Sequence, residues 1–281
     1  MVATGVTAET TAIDHTGIWR PGEIWRDIAR AGLAGLIVGV FVAGVGGRLA
    51  MRLAALLVPQ ATGKFTENAA EIGVISYSGT LSVILIGIAG GASVGVLWVV
   101  IRTWLPGAEV RRALVATVVA LALGSALLIR AANPDFSTLG YNAAVVGALV
   151  VLVGLVGCSM SIVDGWLDGR LPIAASVRSR AASAYAAISL IGALLILPLV
   201  VLTFLGLGSD AAELDRIRLR PIGIGLVVLG AATVRWWFLR LHGATQPPRP
   251  LLLFGRATLA VVVVYGLAIE LPEIRGALGM Y

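Results

Sequence analysis

Seven apolar stretches, at 31–47, 79–101, 113–129, 139–163, 181–208, 222–239 and 251–271, carry no charge in their central parts. A bilayer's hydrocarbon core is roughly 30 Å thick, and a helix of about 20 apolar residues crosses it. Runs of this length joined by short polar loops predict an all-α fold, a polytopic membrane protein built as a bundle of seven transmembrane helices. Charged residues make up 13% of the chain, where a soluble domain carries about 25%. The runs and loops use nearly all of the 281 residues. That leaves one membrane domain over 28–272, after a cytoplasmic tail and juxtamembrane segment over 1–27 and before a short C-terminal tail over 273–281. Residues 1–17 have no Lys, no Arg and no apolar core, so they read as a tail and not as a secretory signal. Pro21 suits a first helical turn, where its missing N–H costs nothing. Trp19 and Trp25 suit the headgroup zone.

The chain has a net charge of +6, from 21 basic and 15 acidic residues. The basic residues are spread over loops between apolar runs and form no basic face on a soluble module, which argues against nucleic acid as a partner. Cytoplasmic loops of membrane proteins are enriched in Lys and Arg. With the N-terminus in the cytoplasm, the inner set is Arg20, Arg26, Arg30, Arg102, Arg111, Arg112, Arg170, Arg178, Arg180, Arg235, Arg240, Arg249 and Arg256. The outer set is Arg48, Arg52, Lys64, Arg130, Arg216, Arg218, Arg220 and Arg275. Thirteen against eight predicts a multi-pass plasma-membrane protein, N-terminus inside and C-terminus outside. The weak point is Arg216, Arg218 and Arg220 in one outer loop, where Asp210, Glu213 and Asp215 offer local pairing. The dominance of Arg over the single Lys64 points to a GC-rich bacterial genome.

Several chemistries lack their residues. A retinal Schiff base needs a lysine in the last helix, and Lys64 lies in a loop. A proton pump keeps carboxylates or histidines inside the bundle, and none occupies the middle of a run. No pair of histidines one turn apart with a glutamate offers a metalloprotease site. Ser159 in Gly157-Cys158-Ser159-Met160 has no histidine partner in a neighbouring span, and Cys158 has no second cysteine. Asp164 and Asp168 share one helix face. CDP-alcohol phosphotransferases carry such Asp-rich helix ends, but with two residues between the first aspartates and a second pair downstream. Here the gap is three and no second pair follows, so these aspartates read as a polar helix end paired with Arg170, Arg178 or Arg180. No catalytic residue, no metal site and no cofactor is assigned, and the chain is read as a non-enzyme.

Small residues recur at four-residue spacing in the first two runs, at Gly35, Gly39, Ala43 and Gly47, and at Gly87, Gly91 and Gly95. Such faces let helix backbones approach closely in lipid, so the first two helices are expected to pack there. Pro198 is expected to kink the fifth run. Two loops echo each other, Leu105-Pro106 before Arg111-Arg112 and Leu171-Pro172 before Arg178 and Arg180, either as a true repeat or as two similar turns.

The candidate binding residues are Arg48, Arg52, Glu67, Glu71 and Asn142. Arg48 and Arg52 follow the Gly-rich first run one helical turn apart, and Glu67 and Glu71 share a face if 66–71 is helical, with Thr66 as cap. A guanidinium binds a carboxylate bidentately. The pattern reads either as a double salt bridge closing the outer end, or as an outer-leaflet cleft for an anion, a lipid headgroup or a polar solute. Asp135 or Ser137 is expected to cap the fourth helix, and Asn142, one turn into it, to face the same cleft.

Gly47-Arg48-Leu49-Ala50-Met51-Arg52, Thr66-Glu67-Asn68, Asn133-Pro134-Asp135-Phe136 and Leu167-Asp168-Gly169-Arg170-Leu171-Pro172 resemble phrases in a group of actinobacterial multi-pass membrane proteins with no established activity. The resemblance spans roughly the first four helices and implies membrane location only. The residues lean toward a non-catalytic membrane module that binds a membrane protein partner, a second copy of itself or a lipid. The alternative is a transporter or permeation pathway for a small polar or anionic solute. A transporter requires a polar mid-membrane cavity lined by residues such as Ser82, Ser93, Ser125 or Thr203. A partner module requires a filled bundle with an exposed small-residue face. An enzyme requires Asp164 and Asp168 in a cytoplasmic cleft.

Overall fold

The computed structural model describes residues 21–66, 71–130, 133–172, 180–205 and 213–280. Among these residues the protein is all helical, and the only pairing of extended backbone is one bridge between Phe65 and Glu71. The first helix is longer than its apolar run. α1 (Pro21–Val38) passes through a π-helical segment, Gly39–Val45, into α2 (Gly46–Leu57), so the helix over Gly22–Leu57 has 36 residues. After a 3-10 turn at Pro59–Ala61 and a loop come α3 (Tyr77–Ile101), α4 (Glu109–Leu128) and the short α5 (Pro134–Thr138). The chain continues through α6 (Ala143–Asp168), α7 (Arg180–Leu195), α8 (Leu197–Leu205), α9 (Glu213–Leu241) and α10 (Arg249–Ala277).

Five helices among the described residues are long and apolar enough to cross a membrane: Gly22–Leu57, Tyr77–Ile101, Ala143–Asp168, Arg218–Leu241 and Arg249–Ala277. The third and fifth apolar runs are not among them. The third is α4, 20 residues long, with Glu109, Arg111 and Arg112 in its first turn and no charge from 113 to 128. The fifth is divided between α7 and α8 at Ile196. Pro198 has no N–H to give the carbonyl of Leu194, so the expected kink is a break between two helices. α10 extends to Ala277, past the 272 boundary. Arg218 and Arg220 lie on α9 and not in a loop, because that helix begins at Glu213. Asp210 lies outside the described residues.

One end of the bundle, here the near end, holds the start of α1 and α4 and the ends of α3, α6 and α9, which ion pairs join. The far end holds two apolar clusters. Ala54, Ala55, Val58, Ala61, Ile72, Leu139 and Val145 form one, and Ile129, Phe136, Val146 and Ala277 form the other. The outward faces of the long helices are apolar, with Phe41, Leu49, Val261 and Val264 all exposed. Surface of this kind is stable in lipid and aggregates in water.

The glycine faces of α1 and α3 meet as the spacing predicts. A Cβ on Gly35 would lie 2.9 Å from the Cα of Gly95, and one on Gly39 would lie 2.9 Å from the Cα of Gly91. The register then departs from the sequence pattern. A Cβ on Gly87 would meet the Gly39 oxygen at 2.5 Å and the Gly44 Cα at 2.7 Å. The close face therefore passes from Gly39 to Gly44, five residues on, and not to Ala43. The cause is the π-helical segment, whose wider turn follows i→i+5 hydrogen bonds.

A second lock sits near the end of α3. Trp104 is fully buried, and its Nε1–H donates to Thr233 Oγ1 on α9 at 3.1 Å. The Thr233 hydroxyl faces the carbonyl oxygens of Leu229 at 2.9 Å and Val100 at 3.0 Å. Gly255 on α10 lets the indole pass, since a Cβ there would lie 2.7 Å from Trp104 Cζ3.

Candidate functional site

The largest charged assembly lies at the near end. Asp164, on the last turns of α6, is 1% exposed. Its Oδ1 receives Arg30 Nε at 2.9 Å and Arg102 Nη1 at 3.4 Å, and its Oδ2 lies 3.8 Å from Arg112 Nη2. Asp168, one turn on, pairs with Arg30 and, at 2.8 Å, with Arg26 Nη1. Asp27 receives Arg102 Nη2 at 3.0 Å, Arg30 Nη2 at 3.5 Å and Arg240 Nη1 at 3.6 Å. Glu23, one turn before Asp27, acts on the Arg240 edge. Among the described residues five arginines thus face four carboxylates, drawn from α1, α4, α6, α9 and the end of α3.

Burial of so many charges is tolerable only because each of the three aspartates meets several guanidinium groups. The arginines are not used equally. Arg102 is almost fully enclosed, whereas the Arg112 side chain keeps 32% of its surface. Among the described residues Arg112 has one ion pair, the long contact to Asp164, and its Nε is buried without a hydrogen-bond partner. Its guanidinium stands 5.6 Å from the ring centroid of Trp98, within the range of a cation–π contact.

Trp98 also lines a cavity of about 430 Å³ between α1, α3, α4, α6 and α8. The lining is almost wholly apolar, with Val38, Leu97, Val153, Met160 and Val200 among its walls. Among the described residues Ser93 and Thr203 are its only hydroxyl residues. Ser93 Oγ donates to the Ala89 carbonyl of its own helix at 2.9 Å, so that hydroxyl is already satisfied. The π-helical segment brings Gly39 and Ala43 to the wall. Ile86 and Leu128, both largely exposed, stand at the rim. The inner wall reaches the charged cluster: Ile101 precedes Arg102, Ala116 lies one turn after Arg112, and Met160 lies one turn before Asp164.

At the far end the residues singled out by sequence hold backbone. Arg48 Nη1 donates to the Glu71 carbonyl at 3.2 Å and Arg48 Nη2 to the Val74 carbonyl, while Arg52 Nη1 donates to the Gly73 carbonyl. The two arginines therefore clamp the chain at 71–74. Glu71 is in the bridge with Phe65 and not on a helix. Its carboxylate turns toward Gly63. Glu67 lies outside the described residues. Asn142 is the N-cap of α6 and not a residue one turn inside it, with Oδ1 accepting from the N–H groups of Ala144 at 3.0 Å and Val145 at 3.4 Å. Asn133 caps α5 in the same way, its Oδ1 accepting from Asp135 N–H at 2.8 Å.

The partners foreseen for Asp164 and Asp168 are different ones. Arg170 stacks over Trp166 at 4.1 Å, Arg178 lies outside the described residues, and the aspartates take arginines from α1, α3 and α4. The signal was present. Arg26 and Arg30 are one turn apart, as are Asp164 and Asp168, the same spacing as in the pairs Arg48–Arg52 and Glu67–Glu71. Glu270, at the close of the seventh run, is buried, and neither of its oxygens has a hydrogen-bond partner among the described residues. No group of three or more His, Cys, Asp or Glu able to hold a metal ion occurs among the described residues. No family model, no curated protein and no solved structure matches this chain.

Proposed function

We propose that this chain is a non-catalytic multi-pass membrane protein that binds a lipid within its helical bundle, with one apolar chain seated in the cavity. The observation that carries this reading is the cavity's chemistry. A space of about 430 Å³ walled by aliphatic side chains, opening at the exposed Ile86 and Leu128, favours a hydrocarbon chain and offers a polar solute almost nothing to bind. The carboxylates that an enzyme would use are committed to guanidinium groups. The small-residue faces that a partner would use are consumed between α1 and α3.

In this reading α4 and the α7–α8 pair complete seven crossings of a bacterial plasma membrane. The near end lies in the cytoplasm, with the N-terminus inside and the C-terminus outside. The excess of arginines at the near end supports that orientation.

Gly90→Phe tests the lipid reading. Gly90 lines the cavity, and a Cβ there meets nothing within 4 Å, so the ring enters the space without forcing helices apart. Native mass spectrometry of the parent should show a bound lipid that the variant lacks while remaining folded. A variant that retains the lipid would overturn the proposal.

A further inference from the structure

We infer that the lipid is anionic, its phosphate held at the near end by Arg112 and Trp98 while its chain lies in the cavity. This rests on the lipid reading above and adds headgroup selectivity to it. Three observations carry it. Among the described residues the cluster has one more arginine than carboxylates, and the surplus falls on Arg112, whose one ion pair there spans 3.8 Å. Two buried donors, Arg112 Nε and Trp98 Nε1, have no acceptor among the described residues. Buried donors of this kind are rarely left unmet in a stable protein. Both belong to the one junction where cavity and cluster meet, because Trp98 lines the cavity and Arg112 stands over its ring.

A phosphate oxygen at this junction supplies the missing charge and accepts from the free donors. A guanidinium binds phosphate through paired N–H groups. Arg30, Arg102 and Arg26 are already engaged by Asp164, Asp168 and Asp27, so they frame the pocket without being drawn from their partners. A basic pocket between membrane helices, open at one end to a hydrocarbon-lined space, matches the two parts of an anionic lipid. A free phosphate ion shares only the first part.

The test is a native mass spectrometry titration of the detergent-purified full chain with phosphatidylglycerol and phosphatidylcholine of identical acyl chains. The parent should prefer phosphatidylglycerol by roughly fivefold or more, and excess inorganic phosphate should not displace it. Arg112→Gln should weaken phosphatidylglycerol more than phosphatidylcholine, whose choline cation offsets its phosphate, and so bring the two lipids to parity. Trp98→Phe, which keeps the aromatic wall and removes the N–H, should reduce the preference independently. Equal binding of both lipids by the parent overturns the headgroup inference and leaves the lipid reading standing, as does an unchanged preference in both variants. Displacement by inorganic phosphate reassigns the site to a free anion and overturns the inference. If neither lipid binds, the lipid reading falls and this inference with it.

Discussion

Replacing Asp164 with Asn probes the near-end cluster most severely. The carboxylate is 1% exposed and faces three guanidinium groups at 2.9, 3.4 and 3.8 Å. Unit charges about 4 Å apart interact by roughly 4 kcal/mol at an effective dielectric constant near 20. Removing one member of a buried pair costs about 3–5 kcal/mol, because its partners stay buried and unmatched. Asparagine preserves the shape and one acceptor oxygen for Arg30, which places the loss near the lower figure, about 3 kcal/mol. In a protein of this size each 1 kcal/mol lowers Tm by roughly 2–4 °C, so Tm should fall by about 6–12 °C. The assay is thermal unfolding in a single detergent, followed by circular dichroism. Arg112→Gln is the control: its more exposed, longer contact should cost under about 1 kcal/mol. A Tm for Asp164→Asn within about 2 °C of the parent would refute the idea that these charges hold five helices together.

Three further substitutions probe other contacts. Gly91→Leu must drive a side chain into the Gly35 carbonyl and the Gly39 backbone, so it should abolish accumulation of folded protein, whereas Gly90→Leu, one residue away and facing open space, should accumulate normally. Gly255→Ala puts a methyl group against the Trp104 ring and should cost about 1–3 kcal/mol by overpacking, read as a lower Tm. Arg48→Ala and Arg52→Ala free the chain at 71–74 and should each lose about 1.5–3 kcal/mol of charge-assisted hydrogen bonding, read as faster protease cleavage between α2 and α3 in a protein that still folds.

The helical character of this chain was legible because hydrocarbon imposes one rule on every residue it touches. The close approach of α1 and α3 was legible for a related reason: small residues at four-residue spacing on each of two helices, Gly35, Gly39, Ala43 and Gly47 against Gly87, Gly91 and Gly95, leave few other uses. Ala43 shows where that reading stops. A π-helical turn depends on how two helices settle against each other, and nothing in Gly39–Val45 announces it. The arginines show a different limit. Side-chain charges are visible in a sequence and point Arg48 and Arg52 toward carboxylates, whereas among the described residues their partners are the carbonyls of Glu71, Gly73 and Val74, which every residue carries. Asp164 and Asp168 were recognised as a pair, yet Arg26 and Arg30 lie more than 130 residues away in the chain, with Arg102 on a third helix. Spacing shows which residues share a face and not which faces meet. The cavity had no sequence signal, since it exists only where five helices fail to fill the space between them.

The central claim is that a lipid chain occupies that space, and electron cryomicroscopy of the protein in lipid nanodiscs reads it directly. The account predicts elongated density beside Gly90 and Met160, ending under Arg112 and Trp98. Helices α3, α4 and α8 closed on one another, with no density between them, would contradict it.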